Sequence, residues 1–167
     1  YISDILSGII ANEPNAHVIH INYLLSFALM LLYKCTVNVA WYGLFMIMMH
    51  LCAYVVISRQ LIQQGKGFIG KVIISGILGI VFLSHTYMLG ELQFTSTAAL
   101  LAIAGYVCLM NTKKKGLLFF FVFELFACML RAKAMLMIQP IGMSVLACML
   151  IVESKPWKDK IKWIYKV

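Results

Sequence analysis

Charge is scarce in this chain, and acid is scarcest of all. Only 12% of its 167 residues are Asp, Glu, Lys or Arg, and only six residues are acidic. A soluble domain is usually about half apolar and about a quarter charged. Here 63% of residues are hydrophobic and the mean hydropathy is +0.93, which excludes an ordinary soluble domain and leaves a polytopic membrane protein. A basic leader is missing too: the opening residues "YISDILSGII" lack the positive n-region of a secretory signal. CxxC spacing is also absent. Cys35, Cys52, Cys108, Cys128 and Cys148 lie mostly inside apolar runs, where they act as small hydrophobes, so neither a disulfide framework nor a zinc site is indicated.

What charge there is lies in clusters. The net charge of +8 comes from short basic groups between apolar runs. In a membrane protein such groups set topology and meet lipid head groups, and they do not form a nucleic-acid groove. Five apolar runs approach the roughly 20 residues needed to cross hydrocarbon: Val39–Ile57, Val72–Leu89, Phe94–Met110, Gly116–Leu130 and Ala134–Val152. The fourth is short, and with the fifth it could form a tight or partly re-entrant hairpin. A sixth run, Val18–Tyr33, carries His20, Asn22, Tyr23 and Ser26 and reads as a helix in the membrane interface.

Basic residues favour the cytoplasmic side of membrane helices. Arg59, Lys66 and Lys71, then Lys113, Lys114 and Lys115, then Lys155, Lys158, Lys160, Lys162 and Lys166 form three alternate clusters, holding eleven of the fourteen basic residues. With those clusters inside, Lys34, Arg131 and Lys133 lie outside, as do residues 1–38. An external N-terminal segment with no signal predicts a further membrane helix before Tyr1, so the chain is expected to be a fragment. The fold expected is all-α: about five transmembrane helices over 39–152, an external segment with an interfacial helix over 1–38, and a basic amphipathic tail over 153–167. In that tail Trp157, Ile161 and Ile164 share one face, as in an anchor on anionic lipid. Small residues should carry the contacts between helices: Ala98 and Ala102, with Gly105 on a neighbouring face, and Ser75 with Gly79.

Several residues invite chemistry. Gly65, Gly67 and Gly70 spell GxGxxG, but that pattern binds dinucleotides only between a strand and a helix, and here it sits in a loop between membrane helices. Glu124 lies in "FFFVFELFACML", where an unpaired carboxylate is costly and therefore a functional candidate. Arg131, seven residues on, falls on the same helical face two turns away. His50, midway along the first full run, reads mainly as a packing histidine. The topology collects Asp4, Glu13, His17, His20, Glu91, Arg131 and Lys133 on the outer face, with His85 and Gln139 about a turn below it. Carboxylates can serve as general base or metal ligand, and Arg and Lys neutralise phosphate. Such a set suits an anionic, lipid-linked substrate, although loops are polar in any case.

The order of features resembles a known family. Asp4, Gly8 and Pro14 precede the apolar helix "HINYLLSFALMLLYK", and Trp41-Tyr42-Gly43 opens the next. This looks like the first external loop and second transmembrane helix of GT-C-type integral membrane glycosyltransferases, and more closely is similar to bacterial membrane proteins of the polysaccharide-biosynthesis kind. "LQFTSTAALLAIAG" and "MLRAKAMLMIQP" look like stretches of the latter. The resemblance implies a polyprenyl-phosphate-linked sugar as donor, an aspartate as catalytic base and, in some members, a divalent metal. It gives Asp4 the base role, His17, His20 and Glu91 the acceptor or metal side, and Arg131 with Lys133 the lipid-linked phosphate. The location implied is the bacterial cytoplasmic membrane, N-terminus outside and C-terminus within. Two other classes stay open: a proton-coupled transporter or flippase-like carrier working through Glu124 and His50, and a non-catalytic membrane scaffold. Sensitive positions separate them, because a carrier loses function at Glu124 and His50, an enzyme at Asp4, Glu91 and Arg131, and a scaffold at neither set.

Overall fold

The computed structural model describes residues 2–10, 13–19, 21–65, 67–87, 93–110 and 114–152. It is all-helical, with no strand among the described residues. Among the described residues six helices follow in order: α1 (Ile2–Ser7), α2 (Tyr23–Cys35), α3 (Trp41–Gln64), α4 (Gly67–Tyr87), α5 (Phe94–Met110) and α6 (Lys114–Val152). His20, Glu91, Lys66 and the basic tail 153–167 with its apolar face lie outside the described residues.

α6 is two limbs joined at one residue. Arg131 adopts φ −161° and ψ 98°, an extended conformation that interrupts the helix. The sequence separates the fourth and fifth apolar runs with a short basic loop; the structure turns the chain at Arg131 alone. Gln139 donates to Glu124 over 2.8 Å. In a straight helix fifteen residues would separate the two by about 22 Å, so the limbs fold back on each other about Arg131.

α5 lies between the two limbs. Its first turn meets the break, where Arg131 donates to the Thr95 hydroxyl. Its last turns meet both limbs, since Tyr106 touches Phe120 on one and Gln139 on the other. α5 therefore runs antiparallel to the first limb and parallel to the second. Its buried positions include Ala98, Leu101, Ala102 and Gly105, spaced as one helical face. Small side chains here let three backbones approach closely.

α3 and α4 form an antiparallel hairpin. The Tyr54 hydroxyl donates to the Leu78 carbonyl, and the Tyr54 and Phe82 rings lie 5.0 Å apart. The GxGxxG glycines serve the turn between them. Gly65 caps α3, Gly67 enters α4 at φ 70°, and a Cβ on Gly65 would sit 3.0 Å from the Lys71 nitrogen. Gly70, Ile74, Leu78 and Phe82 form the sheltered stripe of α4, spaced by four residues. Every other large apolar side chain described on α4 is exposed, among them Phe68 at 83% and Ile80 at 70%. Among the described residues, two segments are long and apolar enough to cross a membrane, Trp41–Gln63 and Gly67–Ser84. α5 has 17 residues, which reach only about 26 Å. α6 is broken at Arg131 into two limbs.

α2 crosses one end of this helix bundle. Asn22 caps it, its side chain accepting from Leu24 at 3.0 Å, while the Asn22 N–H donates to the Met129 carbonyl at 2.9 Å. That carbonyl belongs to the last turn before the break, where a helix end leaves acceptors to satisfy. At the other end of α2 the Tyr33 hydroxyl accepts from the Tyr42 N–H at 3.2 Å, at the start of α3. Phe45 packs on Phe126 and His50 meets Thr97, so the first half of α3 stands beside the same end of α5 and α6. Both ends of α2 thus dock at the Arg131 end, and the helix lies across the bundle. Leu25, Leu29, Met30 and Tyr33 face inward, and Tyr23, Leu24, Phe27, Leu31 and Leu32 face out.

α1, in a stretch the sequence gives no helical signal for, buries Leu6 completely and places Ser3 2.8 Å from the Tyr33 hydroxyl. The chain then reverses at Gly8, whose φ is 85° and where a Cβ would stand 2.7 Å from Glu13 and Pro14 backbone atoms. Gly8→Ala combines a left-handed backbone with that clash, a cost of about 1–3 kcal/mol from the dihedral alone. The expected result is faster hydrogen exchange at the Asn15 amide, which now donates to the Ile5 carbonyl over 3.2 Å. Unchanged protection would show that 13–19 is held by something other than this turn.

Candidate functional site

Polar groups gather in two places. The first is the surface where α2 crosses the Arg131 end. The extended backbone at Arg131 takes its side chain away from Glu124, against the shared face a continuous helix would give them. The guanidinium instead donates to Thr95 and sits 5.0 Å from the centre of the Phe94 ring, a cation–π contact. A guanidinium has five N–H donors and Arg131 remains partly exposed, so donors are left for an anion arriving from that surface. Lys133, two residues on, is exposed.

His17 reaches the same end. Its N–H donates to the Asn15 side chain at 2.9 Å, and its exposed ring lies 5.1 Å from Tyr23, which in turn lies 6.1 Å from Phe27. Tyr23 directly follows Asn22, the residue docked on Met129. Asp4 is placed elsewhere. Through Ser3 and Tyr33 it sits near the C-terminal end of α2, and its carbonyl accepts from Ile9 at 2.9 Å. Eleven residues of α2 separate Asn22 from Tyr33, about 16 Å of helix. His17 and Arg131 therefore share one end of α2 and Asp4 takes the other. No group of three or more His, Cys, Asp or Glu residues is placed to hold a metal among the described residues. Of the rest of the predicted set, Glu13 is exposed beside the Gly8 turn, and His20 and Glu91 lie outside the described residues.

The second place is inside the α5–α6 packing. The Tyr106 hydroxyl donates to Gln139 Oε1, and Gln139 Nε2 donates to Glu124 Oε2 at 2.8 Å. Glu124 is 9% exposed, and its Oε1 has no hydrogen-bond partner. A buried polar atom without a partner costs about 1–3 kcal/mol, and more when charged. His50 is also buried, with Nδ1 3.4 Å from the Thr97 hydroxyl, which fits its reading as a packing residue between α3 and α5.

Glu124 stands out in the sequence and Gln139 is read there as a polar residue a turn below the outer face, whereas Tyr106 does not stand out. Tyr106 continues the four-residue spacing of Ala98 and Ala102 and so faces the same neighbours. Gln139 and Glu124 lie eight residues after and seven before Arg131, a symmetry that means something only once the break is located. No protein-family model, no curated protein and no solved structure matches the chain, so its function has to be read from these two places.

Proposed function

We propose that this is an integral membrane protein acting on a lipid-linked, phosphate-bearing sugar at the outer face of a bacterial cytoplasmic membrane. In this reading α3, α4, α5 and the two limbs of α6 make five passes, residues 1–38 lie outside and 153–167 inside. One observation carries it: α2 lies across the end of the bundle that bears Arg131, with apolar side chains on both its inner and outer sides. A helix so placed suits the interface, where one side meets protein and the other meets lipid.

The proposed roles are those the resemblance implies, with placement supporting the pairing of His17 with Arg131. Arg131 and Lys133 hold phosphate, since cations at a membrane surface bind it by charge-assisted hydrogen bonds. His17 adds a donor or acceptor beside them. Asp4 serves as general base or metal ligand. Asp4 and Arg131 flank α2 at opposite ends, about 16 Å of helix apart. The phosphate held at Arg131 is therefore that of a lipid-linked acceptor saccharide whose far hydroxyl reaches Asp4.

The test is sugar transfer from a polyprenyl-phosphate donor by the membrane-inserted protein. Asp4→Ala should lower turnover about 10²- to 10⁴-fold, the usual contribution of a positioned base, with insertion unchanged. Arg131→Gln should act mainly on the KM of the lipid-linked acceptor. Full activity of Asp4→Ala would remove the base role, and an unchanged acceptor KM in Arg131→Gln would remove the phosphate role.

A further inference from the structure

We propose that Glu124 holds an exchangeable proton inside the α5–α6 packing, in a site completed by Gln139 and Tyr106. This site is separate from the surface that α2 crosses and uses none of its residues.

The geometry favours the acid over the carboxylate. An ionised carboxylate offers two oxygens that need donors, and burial without them is costly. Glu124 receives one donor, from Gln139, and its second oxygen receives none. No cation among the described residues makes up the difference. Arg131, on the same limb, is turned to Thr95 and Phe94, and Lys133 on the second limb is exposed. The other titratable groups described on the surrounding elements are Tyr106 and Cys108 on α5, Cys128 on the same limb, Cys148 on the second limb, and Tyr42, His50, Cys52, Tyr54 and Arg59 on α3. Tyr106 is joined to Glu124 through the Gln139 amide.

A metal ion fits less well. A hard cation collects a shell of several oxygens, whereas here the Gln139 oxygen is taken by Tyr106 and one carboxylate oxygen by Gln139. A proton needs only the oxygen that remains. The bridging amide also suits exchange. With the carboxyl protonated, rotation of the amide lets the acid O–H donate to the Gln139 oxygen and the Gln139 N–H donate to Tyr106. The site thus keeps two hydrogen bonds in either arrangement.

The test uses the full chain in lipid nanodiscs and infrared spectra of wild type minus Glu124→Gln. The expected result at neutral pH is the carbonyl band of a protonated carboxylic acid. It should shift in D₂O while the protein stays folded, fade on raising the pH and return on lowering it. If Glu124→Gln does not fold, Gln139→Leu and Tyr106→Phe serve instead, because each should displace the wild-type band by removing a hydrogen bond along the same line. Absence of the band at neutral pH overturns the proposal, as does a band that never shifts in D₂O before unfolding. Loss of the band on adding sodium at constant pH also overturns it, making the site one for a metal cation.

Discussion

Ile77→Lys is expected to expel α4 from the membrane. Ile77 sits at the centre of Gly67–Tyr87 and is 56% exposed. In water, replacing an exposed isoleucine by lysine away from any special contact changes stability by about 0.5 kcal/mol at most. At the centre of a membrane helix the same change costs about 3–4 kcal/mol on insertion scales. Ten residues lie on either side of Ile77, about 15 Å of helix, too far for a lysine stem to carry its charge to the interface. The insertion equilibrium should therefore fall a hundredfold or more, at about 1.4 kcal/mol per factor of ten. Glycosylation acceptor sites placed on either side of α4 would report it in a microsomal insertion assay, with Ile77→Leu unchanged. Equal insertion of Ile77→Lys and wild type would mean that α4 does not face lipid, and the five-pass arrangement would fall with it. The expectation rests on one feature: beyond the stripe Gly70, Ile74, Leu78 and Phe82, the described residues leave the apolar side chains of α4 uncovered.

That feature is legible in the sequence as an apolar run, and other elements are legible to different depths for physical reasons. Phe94–Met110 matches α5 at both ends, because Gln93 and Asn111 bound a segment that carries no charge. α4 begins five residues before the predicted Val72, because hydropathy drops at Lys71 while helix geometry tolerates lysine freely. α1 is invisible, since six residues cannot hold a helix alone; it exists because Leu6 is buried and Ser3 meets Tyr33. At Arg131-Ala132-Lys133 the charges suggest a loop, but only the first of the three leaves helical geometry. That difference decides the site. With a loop, Glu124 and Arg131 can share a face. With a single-residue turn, Glu124 finds Gln139 instead, and Arg131 goes to Thr95. Sequence singles out the acid and does not pair it with Gln139 or Tyr106, because the pairing depends on where the chain folds back.

The close helix contact that holds those partners turns on Gly142. A Cβ at this position would run into the Tyr106 ring, far inside a normal carbon contact of about 3.5–4.0 Å. Tyr106 has little room to retreat, with Phe120 edge-on at 5.3 Å and its hydroxyl on Gln139. Two effects of opposite sign meet in Gly142→Ala. Helix propensity favours alanine by about 1 kcal/mol. Overpacking costs about 1–3 kcal/mol, and losing the Tyr106–Gln139 hydrogen bond adds about 1 kcal/mol. The crowding should win, lowering resistance to SDS unfolding by about 1–3 kcal/mol net. Gly142→Leu should prevent the limbs from closing on α5 at all. Tyr106→Ala removes the ring that the new methyl would strike, so in that background Gly142→Ala should become neutral or stabilising. The double-mutant cycle then yields a coupling of about 2 kcal/mol or more, within the range for side chains in direct contact. A stabilised Gly142→Ala single mutant would mean that the ring does not rest on this glycine. The Tyr106–Gln139–Glu124 line would then lose the close helix approach on which it depends.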